Sequence, residues 1–252
     1  MKAQPSVGPV VPLPGEVNRG RAVRLMFDRI APSYDLLNRL MTLRIDQLWR
    51  RRLVRELALA PGERLIDLCA GTMDVAGEAR RRVPGARVVC ADFSLPMLTR
   101  GARKTGLPAT QADALALPFR DEVFDAAAVA FGMRNLEALA AGLREIARVL
   151  KPGGRLGVLE FFRPQSPASR ALHRAHRLTL PLFGRLISPD PAAYRYLPAS
   201  IERFASRSEF EDSCRSAGFA AVKGHSLVPG ACGLVLAVRG ASPRGRGGEP
   251  PP

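Results

Sequence analysis

The chain has 252 residues, 46% of them hydrophobic, which suffices for one sizeable α/β domain and excludes a disordered protein. Its formal charge is +15, but aromatics make up only 6% and the arginines are scattered. Nucleic-acid binding, which wants a basic stripe interleaved with aromatics, is therefore not expected.

Of the 38 basic residues only Lys2, Lys104, Lys151 and Lys223 are Lys. An Arg bias beside abundant Ala, Gly and Pro fits G+C-rich coding as well as an anionic partner, and charge alone does not choose. Cys69, Cys90, Cys214 and Cys232 form no CxxC and have no zinc-ligand spacing, so a reducing, cytoplasmic setting without a metal is expected. The opening MKAQPSVGPVVPLPGE lacks the apolar core of a signal peptide, and no apolar run approaches the ~18 residues of a membrane span.

In chain order, residues 1–20 read as a flexible lead. From Val23 to about Ala60 the pattern is helical, punctuated at Pro32 and Ser33-Tyr34-Asp35 and stopped by Pro61-Gly62. Strands and helices then alternate: strand Arg64–Leu68, helix Asp74–Val83, strand Ala86–Ala91, helix Leu95–Lys104, weak strand Pro108–Ala112. Strand Val123–Phe131, helix Leu136–Leu150 and strand Arg155–Phe161 follow. Residues 163–205 interrupt the rhythm with a basic, partly helical insertion. Helix Ser206–Ala217 and strands Phe219–Leu227 and Cys232–Val238, around Pro229-Gly230, end the domain in a hairpin. Residues 240–252 are low-complexity and read as a disordered tail, leaving one domain over 21–239. The alternation predicts an α/β, Rossmann-like, doubly wound and mostly parallel sheet with a C-terminal antiparallel hairpin.

The loop DLCAGTMD, Asp67 to Asp74, lies between the first strand and its helix, where open α/β sheets bind ligands. It has one Gly, so the GxGxxG that would cradle a pyrophosphate is missing. Asp92 ends the second strand, 25 residues after Asp67, where a carboxylate can accept both hydroxyls of a ribose. Asp113 ends the third and can accept from an adenine amino group. The trio suits an adenosyl group carrying a sulfonium and an amino acid rather than phosphates. Each Asp alone could equally cap a turn or helix.

In this order, DLCAGTMD, ADFSLPML, DALALPFRDEVFD, FGMRN and RVLKPGGRLGVLEF resemble class I S-adenosylmethionine (SAM) methyltransferases. With MFDRIAPSYDLLNRLMTLRIDQLWRR before them and DPAAYRYLPASIERF after, the chain resembles the ubiquinone/menaquinone biosynthesis C-methyltransferase family over roughly residues 24–239. The resemblance implies methyl transfer from SAM to an aromatic carbon of a polyprenylated quinol. It implies that Gly71 and Thr72 meet the methionine end of SAM, Asp92 the ribose, Asp113-Ala114 the adenine, and that Asp67 orients the amino acid. Phe93 and Met97 could flank the adenine or simply pack. In FGMRN, Arg134 is expected to stabilise the developing oxyanion, and Asn135 to orient it, unless Arg134 pairs with a helix carboxylate. Tyr34 and Asp35 are expected to close over the ring, and Tyr194 and Tyr196 to line the substrate channel, with a structural role open for each.

The sequence departs from the family pattern at Ala70 and Met73 in the loop, and at Asp46, Ala130 and Phe162. A non-Gly residue at Met73 costs about 1 kcal/mol if the backbone there is left-handed, and its side chain could crowd the methionine moiety. His173 and His176 sit three apart without a third ligand and read as a solvated face, with no metal. The segment SRALHRAHRLTLPLFGRLI is amphipathic and suits either peripheral contact with an anionic bilayer on the cytoplasmic face or packing on the sheet. Two other readings stay open: another phenolic or lipid-like acceptor, and a non-catalytic SAM-fold protein. The sequence chooses neither ubiquinone nor menaquinone and fixes no oligomeric state.

Overall fold

The computed structural model describes residues 19–42, 44–175, 191–227 and 232–241. Three helices lead in: α1 (Arg19–Ile30), α2 (Tyr34–Thr42) and α3 (Ile45–Glu56). The first begins inside the stretch read as a flexible lead, because the Arg19 side chain is buried against other elements. Strand β1 (Arg64–Leu68), helix α4 (Asp74–Arg82), β2 (Arg87–Asp92), α5 (Leu95–Thr105), β3 (Ala109–Gln111) and β4 (Phe124–Ala130) follow. Then come a 3₁₀ turn Met133–Asn135, α6 (Leu139–Val149) and β5 (Leu150–Phe161). Past a helical stretch at 167–175, the chain continues with α7 (Pro191–Arg203), α8 (Arg207–Ser216), β6 (Phe219–Ser226) and β7 (Cys232–Arg239).

The seven strands form one sheet in the order β3-β2-β1-β4-β5-β7-β6. The first five are parallel, and β7 runs antiparallel to both β5 and β6. Near-continuous apolar runs such as FDAAAVA in β4 suit strands covered on both faces. One core face gathers Ile66, Leu68, Val129, Ile146 and Phe210; the other gathers Leu53, Leu57, Leu65, Val88 and Leu159. Helix ends follow local chemistry. Ser94 accepts the Met97 N–H to start α5, and Gly106, at φ 67°, closes it. Ser206 and Glu209 form a capping box at the start of α8.

The order reverses between β1 and β4, so the loops after these strands open a crevice at the sheet's carboxyl edge. The amphipathic segment's residues 176–190, with His176, and turn residues 228–231 lie outside the described residues, as do 1–18 and 242–252. Within the insertion, His173 is buried with its Nε2 3.2 Å from Glu202 Oε1. This corrects its reading as part of a solvated face.

Candidate active site

The crevice holds a cavity of about 440 Å³. Its floor is Leu68, Cys69, Gly71, Ala130 and Phe131 from the ends of β1 and β4. One wall is Asp92, Phe93 and Met97, another Asp113, Ala114 and Leu115, and Asn135 and Leu136 close the far side. Gly20, Arg24, Phe27 and Tyr34 of α1 and α2 reach across it.

Asp92 is 6% exposed; its Oδ2 accepts the Gly71 N–H at 2.9 Å and its Oδ1 the Ser94 N–H at 2.8 Å. Each oxygen keeps acceptor capacity for a hydroxyl donor. Burial pushes this carboxyl up to about 6. Gly71 itself has φ 51°, and a Cβ there would come within 3.8 Å of Tyr34 Cε1. That contact is an ordinary one, so the left-handed backbone and not a lack of space favours glycine here. Asp113 Oδ1 accepts the Leu115 N–H at 2.9 Å, so it makes the turn contact that was the structural alternative, yet it also lines the cavity. Met97 does both too: 1% exposed, it packs with Ile30 and Ala31 and borders the cavity.

Acceptors at ribose height, flat apolar walls and a loop without a phosphate nest fit an adenosyl group carrying an amino acid. Eight of the residues given site roles in the sequence meet in this cavity: Tyr34, Gly71, Asp92, Phe93, Met97, Asp113, Ala114 and Asn135.

The others whose side chains are described stand behind its walls. Asp67 turns its Oδ2 to the Ala76 N–H in α4 at 3.0 Å, and burial pushes its carboxyl up to about 7. Thr72 donates its hydroxyl to Asp35 Oδ1 at 2.5 Å, and Lys104 Nζ lies 3.3 Å from Asp35 Oδ2. Asp35 is therefore a latch between α2, the loop and α5, not a group over a substrate ring. Arg134 is 8% exposed and commits Nη1 to Glu160 Oε1 at 2.7 Å and to the Phe131 carbonyl. Its expected place on a developing oxyanion is corrected: it pairs with a strand carboxylate, because an unpaired guanidinium is costly to bury. Tyr196 donates to Asn135 Oδ1 at 2.9 Å and accepts from Arg19, so it pins the turn instead of lining a channel. The Tyr194 side chain lies outside the described residues.

Sequence reasoning missed Glu160, Arg19, Phe27 and Arg50. Glu160 is fully buried at the end of β5, and Arg19 donates to the carbonyls of Leu136 and Arg134. Arg50 in α3 lies 5.2 Å over the cavity-lining Phe131 ring, which stacks on Phe161 beside Trp49. Loss of water raises the Tyr34 phenol above its usual value, and the Arg50 charge opposes that.

The departures take physical shape here. Met73 has φ 61° and caps α4, as the strained reading requires. Its fully buried side chain packs on Gly101, where an added Cβ would fall 2.5 Å from Met73 Cγ, and its Sδ takes the Thr105 hydroxyl. It points away from the cavity and does not crowd it. Asp46 accepts from Thr42 and pairs with Arg50, and Phe162 packs among Phe204 and Phe210. Neither lines the cavity, whereas Ala130 does.

Comparisons with known proteins agree with this geometry. The fold is shared with a SAM-dependent methyltransferase of Thermotoga maritima, 22% identical with a TM-score of 0.63 over 86% of this chain and 99% of that one. It is shared also with the [4+2]-cyclase SpnF, 18% identical with a TM-score of 0.65 over 92% and 99%, so the fold alone does not name the chemistry. The ubiquinone/menaquinone biosynthesis C-methyltransferase UbiE of Syntrophotalea carbinolica is 47% identical over 84% of this chain and 91% of its own. The demethylmenaquinone methyltransferase of Thermus thermophilus is 48% identical over 77% and 91%. That of Corynebacterium kroppenstedtii is 41% identical over 87% and 95%. The ubiE/COQ5 methyltransferase family matches residues 16–239. The chain belongs to the ubiE/COQ5 methyltransferase family, with SAM as its methyl donor.

Proposed function

We propose that this enzyme C-methylates a polyprenylated demethylquinol, with demethylmenaquinol the favoured acceptor. The observation that carries the reading is the cavity: a pocket edged by Asp92 and Asp113 and bordered by Tyr34, Phe131 and Asn135, in a chain whose relatives include demethylmenaquinone methyltransferases.

SAM supplies a methyl already activated on a sulfonium, so the protein's work is alignment and charge placement. Asp92 accepts from the ribose hydroxyls, and Asp113 and Ala114 border the adenine. Asp67, behind the cavity wall, fixes the start of α4 through the Ala76 N–H and so sets the loop that meets the methionine moiety. Phe131, held by the Arg50 guanidinium, offers a flat wall to the acceptor ring. Asn135 presents its carboxamide to the acceptor's hydroxyl oxygens while Tyr196 and the Phe131 carbonyl fix its rotamer. Arg134 acts at one remove by holding the Phe131 carbonyl and Glu160.

The test is calorimetric titration with SAM, followed by turnover of a short-chain demethylmenaquinol. Asp92→Ala should cost at least about tenfold in SAM affinity, as loss of a buried charge-assisted contact does. Binding of SAM without turnover of any prenylated or short-chain quinol would sink the acceptor assignment and favour another phenolic substrate.

A further inference from the structure

Helix α3 has two faces of opposite character. Its inner face carries Arg50, Leu53 and Val54, buried against the sheet, with Trp49 touching the rings beside the cavity. On its outer face Ile45 is 42% and Leu48 58% exposed. Arg44, Arg51 and Arg55 are exposed at helical spacing around them. The basic surface continues onto α4, which packs on α3 and ends in Arg80, Arg81 and Arg82, all exposed. The acids nearby are engaged: Glu78 with Arg51 and Arg81, Glu56 with Arg52 and His225.

Three arginines beside two projecting aliphatic side chains, with three more on the helix packed against α3, are complementary to a negatively charged surface with an apolar interior. We infer that the outer face of α3, extended by the end of α4, docks on an anionic bilayer. Ile45 and Leu48 enter the acyl boundary and the arginines meet lipid phosphates. The inference deepens the quinol reading, because a polyprenyl tail keeps the acceptor in the membrane, and the docked helix is the one whose other side carries Trp49 and Arg50. It is distinct from the amphipathic insertion considered from the sequence.

The experiment is co-sedimentation of the full chain with phosphatidylcholine vesicles, with and without phosphatidylglycerol, at low and high salt. Three proteins are compared: wild type, Ile45→Ser/Leu48→Ser and Arg51→Glu/Arg55→Glu. Wild type should bind the anionic vesicles only, with affinity falling as salt rises. Each double variant should lose about tenfold or more of that affinity. If the apolar pair impairs folding, judged by loss of a cooperative melt, the exposed charge pair carries the test alone. No binding by wild type, or unchanged binding by the charge variant, overturns the inference. A wild type that is dimeric and becomes monomeric in Leu48→Ser also overturns it, by making the face a contact between copies. Failure of the quinol reading looks different: vesicle binding intact, with no methylation of a water-soluble short-chain demethylquinol.

Discussion

At Asp67 and Asp92 the absence of water decides protonation. Each folded carboxyl holds its proton more tightly than the same group does in the unfolded chain, at about 7 and about 6 against an ordinary 3.8. Their protonated forms therefore stabilise the fold fully below pH 3.8, and that stabilisation fades as the pH climbs to about 7. Asp67→Asn should flatten the decline in melting temperature between those pH values; a decline as steep as in wild type would show that Asp67 is not its source. SAM affinity should run the other way, rising as both carboxyls ionise, and calorimetry on either side of neutrality reads this directly. A second residue-scale expectation concerns α5. Gly101→Ala places a methyl against Met73 and should cost about 1–3 kcal/mol, a drop of several degrees. In a Met73→Ala background the same change should cost less, with the Thr72 backbone carbon at 3.0 Å as the remaining close contact, and the coupling is read from the double-mutant cycle.

Elements were legible where local signals were complete. Arg64–Leu68 stands where its apolar run predicts it, and Asp74–Arg82 and Leu95–Thr105 lie within a residue of expectation. The helix expected from Leu136 in fact starts at Leu139, and the turn Met133–Asn135 before it takes its shape from a partner elsewhere. That partner, Glu160, is one acid in the apolar run LGVLEF, and nothing local shows that it receives Arg134. Arg19 and Arg50 were illegible for the same reason: their roles exist only once distant elements meet. The cavity acids were readable because strand ends in this topology converge, while Asp35 and Tyr196 were given site roles although their partners lie behind the walls. The pair between β5 and the turn makes a stability prediction. Glu160→Leu leaves a guanidinium buried without its counter-charge and should cost about 3–5 kcal/mol. Glu160→Gln, which keeps an acceptor for the Arg134 N–H, should cost less. Urea midpoints would rank the two, and an equal ranking would deny the charge its part.

For the whole molecule, the N-terminal helices are joined to the catalytic half by side-chain ties: Thr72 to Asp35, Ser94 to Asp28, Arg19 to Tyr196. A ligand in the cavity touches both halves at once, because α1, α2 and the strand ends all line it. Binding should therefore raise the melting temperature of the whole chain in one transition. At a hundredfold excess over Kd the gain is about 2.7 kcal/mol, or roughly 5–10 °C for a chain near this size. Differential scanning fluorimetry with SAM checks this, and the tenfold weaker binding expected of Asp92→Ala should cut the shift to about half or less. Two resolved transitions would mean that the helices and the sheet melt apart.

Met73 and Gly101 set a rule for anyone who rebuilds the loop. The space that the Met73 side chain needs is left by a glycine one helix away. Returning Met73 to glycine empties a packed site, and filling Gly101 drives a methyl into sulfur and carbon. A library aimed at the cofactor loop should therefore vary residues 73 and 101 as a pair, while Ala70 can be varied alone.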